Sequence, residues 1–104
     1  MNKRRIVVTG MGAVTPLGNT VQESWAAIRN KESGIDKISL FDASNYPVQI
    51  AAEVKNFLPE EHGIESREAR RMARFTQFLL SASYEAIRDA GLSKETLEAE
   101  RTGI

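Results

Sequence analysis

The 104-residue chain contains no cysteine and one histidine, His62. Without cysteine, these residues can hold no disulfide framework, thiolate zinc site or thiol nucleophile. No charge of one sign predominates, since 14 Lys and Arg balance 14 Asp and Glu. A general nucleic-acid or membrane-surface binder is normally basic overall, so both classes are disfavoured. Long hydrophobic runs are missing too, and nothing approaches the roughly 20 apolar residues of a membrane span. Behind the basic residues of Met1–Arg5 only Ile6, Val7 and Val8 precede Thr9 and Gly10. That run is too short for a signal-peptide core. The expectation is a cytoplasmic chain with neither a nucleic-acid nor a membrane partner. With 41% hydrophobic and 27% charged residues, the composition is that of a soluble globular protein of at most one small domain.

What is present begins with glycines. Residues 8–19 read VTGMGAVTPLGN, directly after an apolar run. A dinucleotide-binding turn needs glycines in the pattern G-x-G-x-x-G, opening a helix that receives the pyrophosphate. Gly10 and Gly12 fill the first two places, but the third falls on Thr15, and Pro16 interrupts any helix through it. A P-loop would need Gly-Lys-Ser/Thr, which is absent. The turn therefore has another use.

Further along, Arg5–Thr9 reads as a short buried strand rich in β-branched residues. Thr20-Val21-Gln22-Glu23 is a capping box that opens a helix. Val21, Trp25 and Ile28 form its apolar stripe, and Gly34 lies just past its end. Residues 34–46 read as loop, with Asp42, Ser44 and Asn45 as turn formers. Alternation from Val48 to Val54 predicts a strand, and Pro47 ahead of it favours a sheet edge. A polar connector, Pro59–Gly63, carries His62, which reads as solvent-exposed. One long helix is then expected from Ser66, its N-cap, to Ala90, with Gly91 as the C′ residue. Its apolar residues lie nearly all round, so it should be buried on several sides. Ser81, Ala82, Ser83, Ala86 and Ala90 are small enough to admit neighbouring backbones. Arg101–Ile104 resembles the entry to another strand. The order of elements predicts an α/β architecture with parallel strands. So little chain cannot enclose such a helix, and the sequence reads as a piece of something larger.

The stretches RRIVVTGMGAVTPLGNTVQESW, SGIDKISLFDASNYPVQIAAEVKNF and REARRMARFTQF, in that order, resemble the N-terminus of a β-ketoacyl-[acyl-carrier-protein] synthase. The type II elongation synthases of bacterial fatty-acid synthesis are the nearer match, and the resemblance covers essentially the whole chain. It implies an N-terminal fragment of a thiolase-like fold. In that family the glycine turn joins the first strand to the first helix, so Gly10, Gly12, Pro16 and Gly18 are expected to serve backbone geometry and close packing. The implied activity is decarboxylative Claisen condensation. An acyl group moves from the carrier to a cysteine, and malonyl-carrier protein loses CO₂ to give the carbanion that attacks it. The family's cysteine and two histidines lie in chain beyond Ile104, so no catalytic residue is expected here and the fragment alone should be inactive. No metal or redox cofactor is implied, because the phosphopantetheine arm belongs to the carrier. Family members are homodimers.

A last feature concerns charge. At about 100° per residue, Arg67, Arg70, Arg71 and Arg74 fall on one helical stripe about 100° wide. The bland reading is a solvated face or ion pairs to Glu60 and Glu61. The resemblance implies instead that Arg67, Arg70 and Arg71 dock the acidic acyl carrier protein, with Arg74 on the same stripe. Trp25 and the Phe75/Phe78 pair read as core packing rather than as a ligand box. Two rival readings from other classes are a nucleotide-binding module and a non-catalytic interaction module using the stripe; within the family, a polyketide ketosynthase or chain-length partner is the alternative.

Overall fold

In the computed structural model, which describes residues 2–97 and 99–103, the chain opens with an extended segment that joins no ladder. Ile6, Val7 and Val8 are 95%, 64% and 80% exposed, so the buried strand expected at Arg5–Thr9 is not formed. A strand exists only by pairing its N–H and C=O groups with a neighbour. Among the described residues the two other strands pair with each other.

Helix α1 spans Val21–Arg29, where the capping signal places it. Thr20 accepts from Glu23 N at 3.1 Å, but the Glu23 carboxylate reaches one residue further back, to Asn19 N at 2.8 Å. The buried face of α1 is not the expected one. Trp25 and Ile28 are more than half exposed, whereas Ser24 and Ala27 are buried. Small residues face inward because the glycine turn approaches there: a Cβ on Gly18 would come within 2.7 Å of Ser24 N.

Strands β1 (Ile35–Lys37) and β2 (Ile50–Ala52) form an antiparallel pair in the register Ile35 to Ala52 and Lys37 to Ile50. This corrects two expectations. Part of the predicted 34–46 loop is a strand, and the pairing is antiparallel: residues 38–49 hold no crossover helix and return the chain as a hairpin. Within that return Ser44 N donates to Asp42 Oδ1 at 3.0 Å, a side-chain-closed turn.

The single long helix is likewise divided. After a 3₁₀ turn at Pro59–His62 come α2 (Ser66–Ala69) and α3 (Arg74–Asp89), and between them Ala73 is extended at φ −63°, ψ 153°. A continuous helix would stack Arg67 on Arg71 and Arg70 on Arg74, like charges at i,i+4 that destabilise it. The break removes that stacking, and the Ala69 carbonyl at the end of α2 accepts from both Met72 N at 3.1 Å and Gln77 Nε2 at 2.9 Å. Ser66 is the first helical residue rather than the cap, and its hydroxyl donates to Glu60. Gly91 ends α3 in the left-handed conformation, at φ 70°. Arg101 belongs to a 3₁₀ turn, Ala99–Arg101, rather than to a strand entry, and Ile104 lies outside the described residues.

Burial is slight. Ala27, Ala43, Phe57, Ile64 and Ala69 are the buried apolar residues among those described. Of α3, expected to be buried on several sides, only Ser81 is buried, and Phe75 is 75% exposed. The radius of gyration is 17.4 Å, against about 13 Å for a compact chain of this length. The accessible surface is 9070 Å², against about 5,800 Å² for a folded monomer of this mass.

Candidate functional site

The glycine turn lies along α3. Cβ atoms on Gly10 and Gly12 would collide with the backbone carbonyls of Ala86 and Ala82, so only glycine lets the two backbones approach this closely. Gly10, Gly12 and Gly18 have no positive φ; among the described glycines Gly63 and Gly91 do. At the turn the requirement is therefore room, not left-handed backbone. The alanines at 82, 86 and 90, four residues apart on one face, are what the segment packs against.

The amides that would cradle a phosphate are already occupied. Met11 N donates to Asp89 Oδ2 and Ala13 N to Glu85 Oε2, both at 3.0 Å. Val21 N, at the start of α1, donates to Glu85 Oε1 at 2.9 Å. The anion favoured at that helix N-terminus is thus an internal carboxylate. Thr15 holds the third place of the failed fingerprint and closes the turn itself. Its hydroxyl accepts from Leu17 N at 3.1 Å and Gly18 N at 3.2 Å and pairs with Ser24 Oγ at 2.7 Å. Thr15 and Gly18 also exchange backbone hydrogen bonds of 2.8 and 3.1 Å across Pro16. Sequence reading missed Glu85 and Asp89. Their signal was a pair of acids at i,i+4 beside the alanine stripe of α3.

Beside the turn lies a polar cleft of about 470 Å³, lined in part by Asn19, Lys55, Asn56 and His62. Asn19 Nδ2 spans its floor to the carbonyls of Lys55 and Asn56. His62 is half-buried, not free in solvent as expected, because its ring stacks on Phe57 with centroids 4.8 Å apart. Phe57 is buried and meets Phe78 edge-on at 5.0 Å. Phe78 therefore packs inward, whereas Phe75 and Trp25 face outward.

The arginines gather at the α2–α3 break rather than along one helix. Arg67 lies on α2, Arg70 and Arg71 in the break, and Arg74 opens α3; all four are exposed. Among the described residues, Arg67, Arg70 and Arg71 form no ion pair. The Ser66 hydroxyl, with a smaller contribution from the Arg70 charge, holds the Glu60 carboxyl below its ordinary range. Arg74 differs from the other three, since its Nη2 donates to Val54 O at 2.8 Å.

Residues 3–104 match the sequence profile of the family described as "Beta-ketoacyl synthase, N-terminal domain". The chain belongs to that family. Among ketosynthase relatives, it is 46% identical over 101 residues to 3-oxoacyl-[acyl-carrier-protein] synthase 2 of Staphylococcus aureus (strain COL), covering 97% of this chain and 24% of that protein. Identity to the protein of the same name from Synechocystis sp. is 41% over all 104 residues, 25% of that protein's length. The chain thus spans about a quarter of the curated relatives it matches. Among solved structures, the ishigamide ketosynthase/chain length factor superposes with a TM-score of 0.81 and 33% identity, over 92% of this chain and 24% of that one. The fold is accordingly part of the thiolase-like α/β fold of ketosynthases. Within this ketosynthase segment, no helix among the described residues is long and apolar enough to cross a membrane.

Proposed function

We propose that this chain is the N-terminal quarter of a 3-oxoacyl-[acyl-carrier-protein] synthase, a cytoplasmic homodimer that elongates acyl chains in fatty-acid synthesis. The observation that carries the reading is a likeness over 97% of the chain at 46% identity. The excess of exposed surface supports a partial domain over a free-standing interaction module. Ile6, Val7 and Val8 offer an exposed β-branched segment that further chain of the same fold can pair with.

In the whole enzyme a cysteine thiolate takes the acyl group from its carrier thioester. Malonyl-carrier protein then loses CO₂, and the resulting carbanion attacks the acyl–cysteine thioester, expelling the thiolate. This chain has no cysteine to perform that step. Its part is to shape the scaffold through the Gly10–Gly18 turn and to receive the carrier. Arg67, Arg70 and Arg71 are exposed and form no ion pair among the described residues, the state in which cations attract an acidic partner over long range. Arg74 lies beside them with its Nη2 held by the Val54 carbonyl. A polyketide ketosynthase or chain-length partner is the second reading, favoured by the ishigamide structure; its 33% identity ranks it below the synthases at 41–46%.

The test uses the full-length enzyme with acyl- and malonyl-carrier protein. Arg70→Glu combined with Arg71→Glu is expected to weaken carrier affinity at least several-fold, most visibly at low salt. Unchanged affinity would refute docking at this site. The 104-residue chain alone should release no CO₂ from malonyl-carrier protein.

A further inference from the structure

One of the four arginines is held within the chain. Arg74 Nη2 donates to the carbonyl of Val54 at 2.8 Å, and its guanidinium carbon lies 4.9 Å from the centre of the Phe78 ring. Phe78 meets Phe57 edge-on at 88°, and Phe57 stacks on His62 at 15°. A guanidinium can donate in its plane while laying its face on an aromatic ring; an ammonium has no such plane. Val54 lies two residues past β2, and Arg74 is the first residue of α3. One side chain therefore ties the hairpin exit to the helix that follows the arginine segment. Three residues on, Gln77 Nε2 grips the end of α2 at Ala69 O. Arg70 and Arg71 lie in the short break between these two grips, tied to α2 by Arg70 N to Ser66 O at 3.2 Å and Arg71 N to Glu68 O at 2.9 Å, so the grips on either side set their placement against α3.

We infer that Arg74 is a positioning residue for carrier docking rather than a contact: it clasps α3 to Val54 and so sets the angle at which Arg70 and Arg71 are presented. The inference rests on the docking reading above. It differs from the charge-pattern reading, which places Arg74 against the partner with the other three.

Carrier affinity is measured across ionic strengths for the full-length enzyme and for Arg74→Lys, Arg74→Met, Arg70→Gln and Arg71→Gln, with amide hydrogen exchange followed in the same variants. A clasp needs the planar fork, so Lys should fail nearly as Met does. Both are expected to weaken binding by about three- to ten-fold with the wild-type salt dependence kept. Exchange at residues 54–57 and 76–78 should quicken by a similar factor in both. Arg70→Gln and Arg71→Gln should instead flatten the salt dependence without altering exchange there. The inference is overturned if Arg74→Lys binds like wild type while Arg74→Met loses affinity and salt dependence together. Unchanged exchange in both Arg74 variants overturns it as well. Should Arg70→Gln and Arg71→Gln leave affinity untouched, the docking reading falls and Arg74 loses its bearing on a partner; quicker exchange would then mark a purely internal clasp.

Discussion

The Glu85 carboxylate caps the helix that begins at Val21: Oε1 accepts from Val21 N at 2.9 Å, while Oε2 accepts from Ala13 N at 3.0 Å. One half-buried side chain on α3 thus ties together the glycine turn and the start of α1. Hydrogen bonds to charged groups are the stronger class. Glu85→Ala leaves two backbone donors without their acceptor and is expected to cost about 2–3 kcal/mol. Glu85→Gln keeps one acceptor oxygen and should cost less. Urea denaturation of the full-length protein measures both, and an alanine variant as stable as wild type would refute the bridging role.

Gly12 and Gly91 distinguish two uses of glycine. At Gly12 an added methyl meets the Ala82 carbonyl, and backbone cannot step aside as a flexible side chain can. At Gly91 nothing lies within 4 Å, but φ is 70°. Gly12→Ala is therefore expected to destabilise by about 3 kcal/mol through overpacking. Gly91→Ala should cost about 1 kcal/mol through backbone strain. Thermal unfolding of the two variants should rank them in that order; the reverse order would mean that the turn does not press on α3 as described.

Glu53 closes the hairpin. It accepts from Ser39 N at 3.0 Å, Ser39 Oγ at 2.9 Å and Leu40 N at 3.2 Å. The Ser39 backbone donor, followed by its hydroxyl, holds the Glu53 carboxyl below its ordinary value of 4.5. A carboxylate with a depressed folded-state value contributes stability that is present above the unfolded value and lost as pH falls through the folded one. Here that window lies below pH 4.5. The Ser39 amide resonance should titrate with a midpoint under 4.5, and Glu53→Gln should remove the transition. A midpoint at or above the ordinary value would refute the assignment.

Local signals were read correctly where the chain satisfies itself. Thr20 caps α1, Gly91 terminates α3, and Asp42 turns the hairpin loop, each through atoms a few residues away. Errors fell where the deciding partner is distant in sequence. The strand expected at Arg5–Thr9 found no neighbour. The break between Ala69 and Arg74 is the exception, since like charges four residues apart disfavour the continuous helix locally. The apolar stripe of α1 faces outward because the turn selects its small side. At the candidate site, the four arginines and the glycines were legible as residue types. Their arrangement was not, since helix geometry places Arg74 with the other three and only the fold brings Val54 to it.

Sequence alone determined the family, because an ordered likeness along the chain needs no geometry. It also determined the absence of a thiol and the clustering of cations within eight positions. Tertiary structure alone decided that Glu85 and Asp89 occupy the amides a phosphate would have used, and that one arginine is tied back to the hairpin exit. Those outcomes depend on contacts between residues more than 60 positions apart for Glu85 and Asp89, and 20 apart for Arg74. Such contacts are set by how elements pack, and local periodicity does not name the partner.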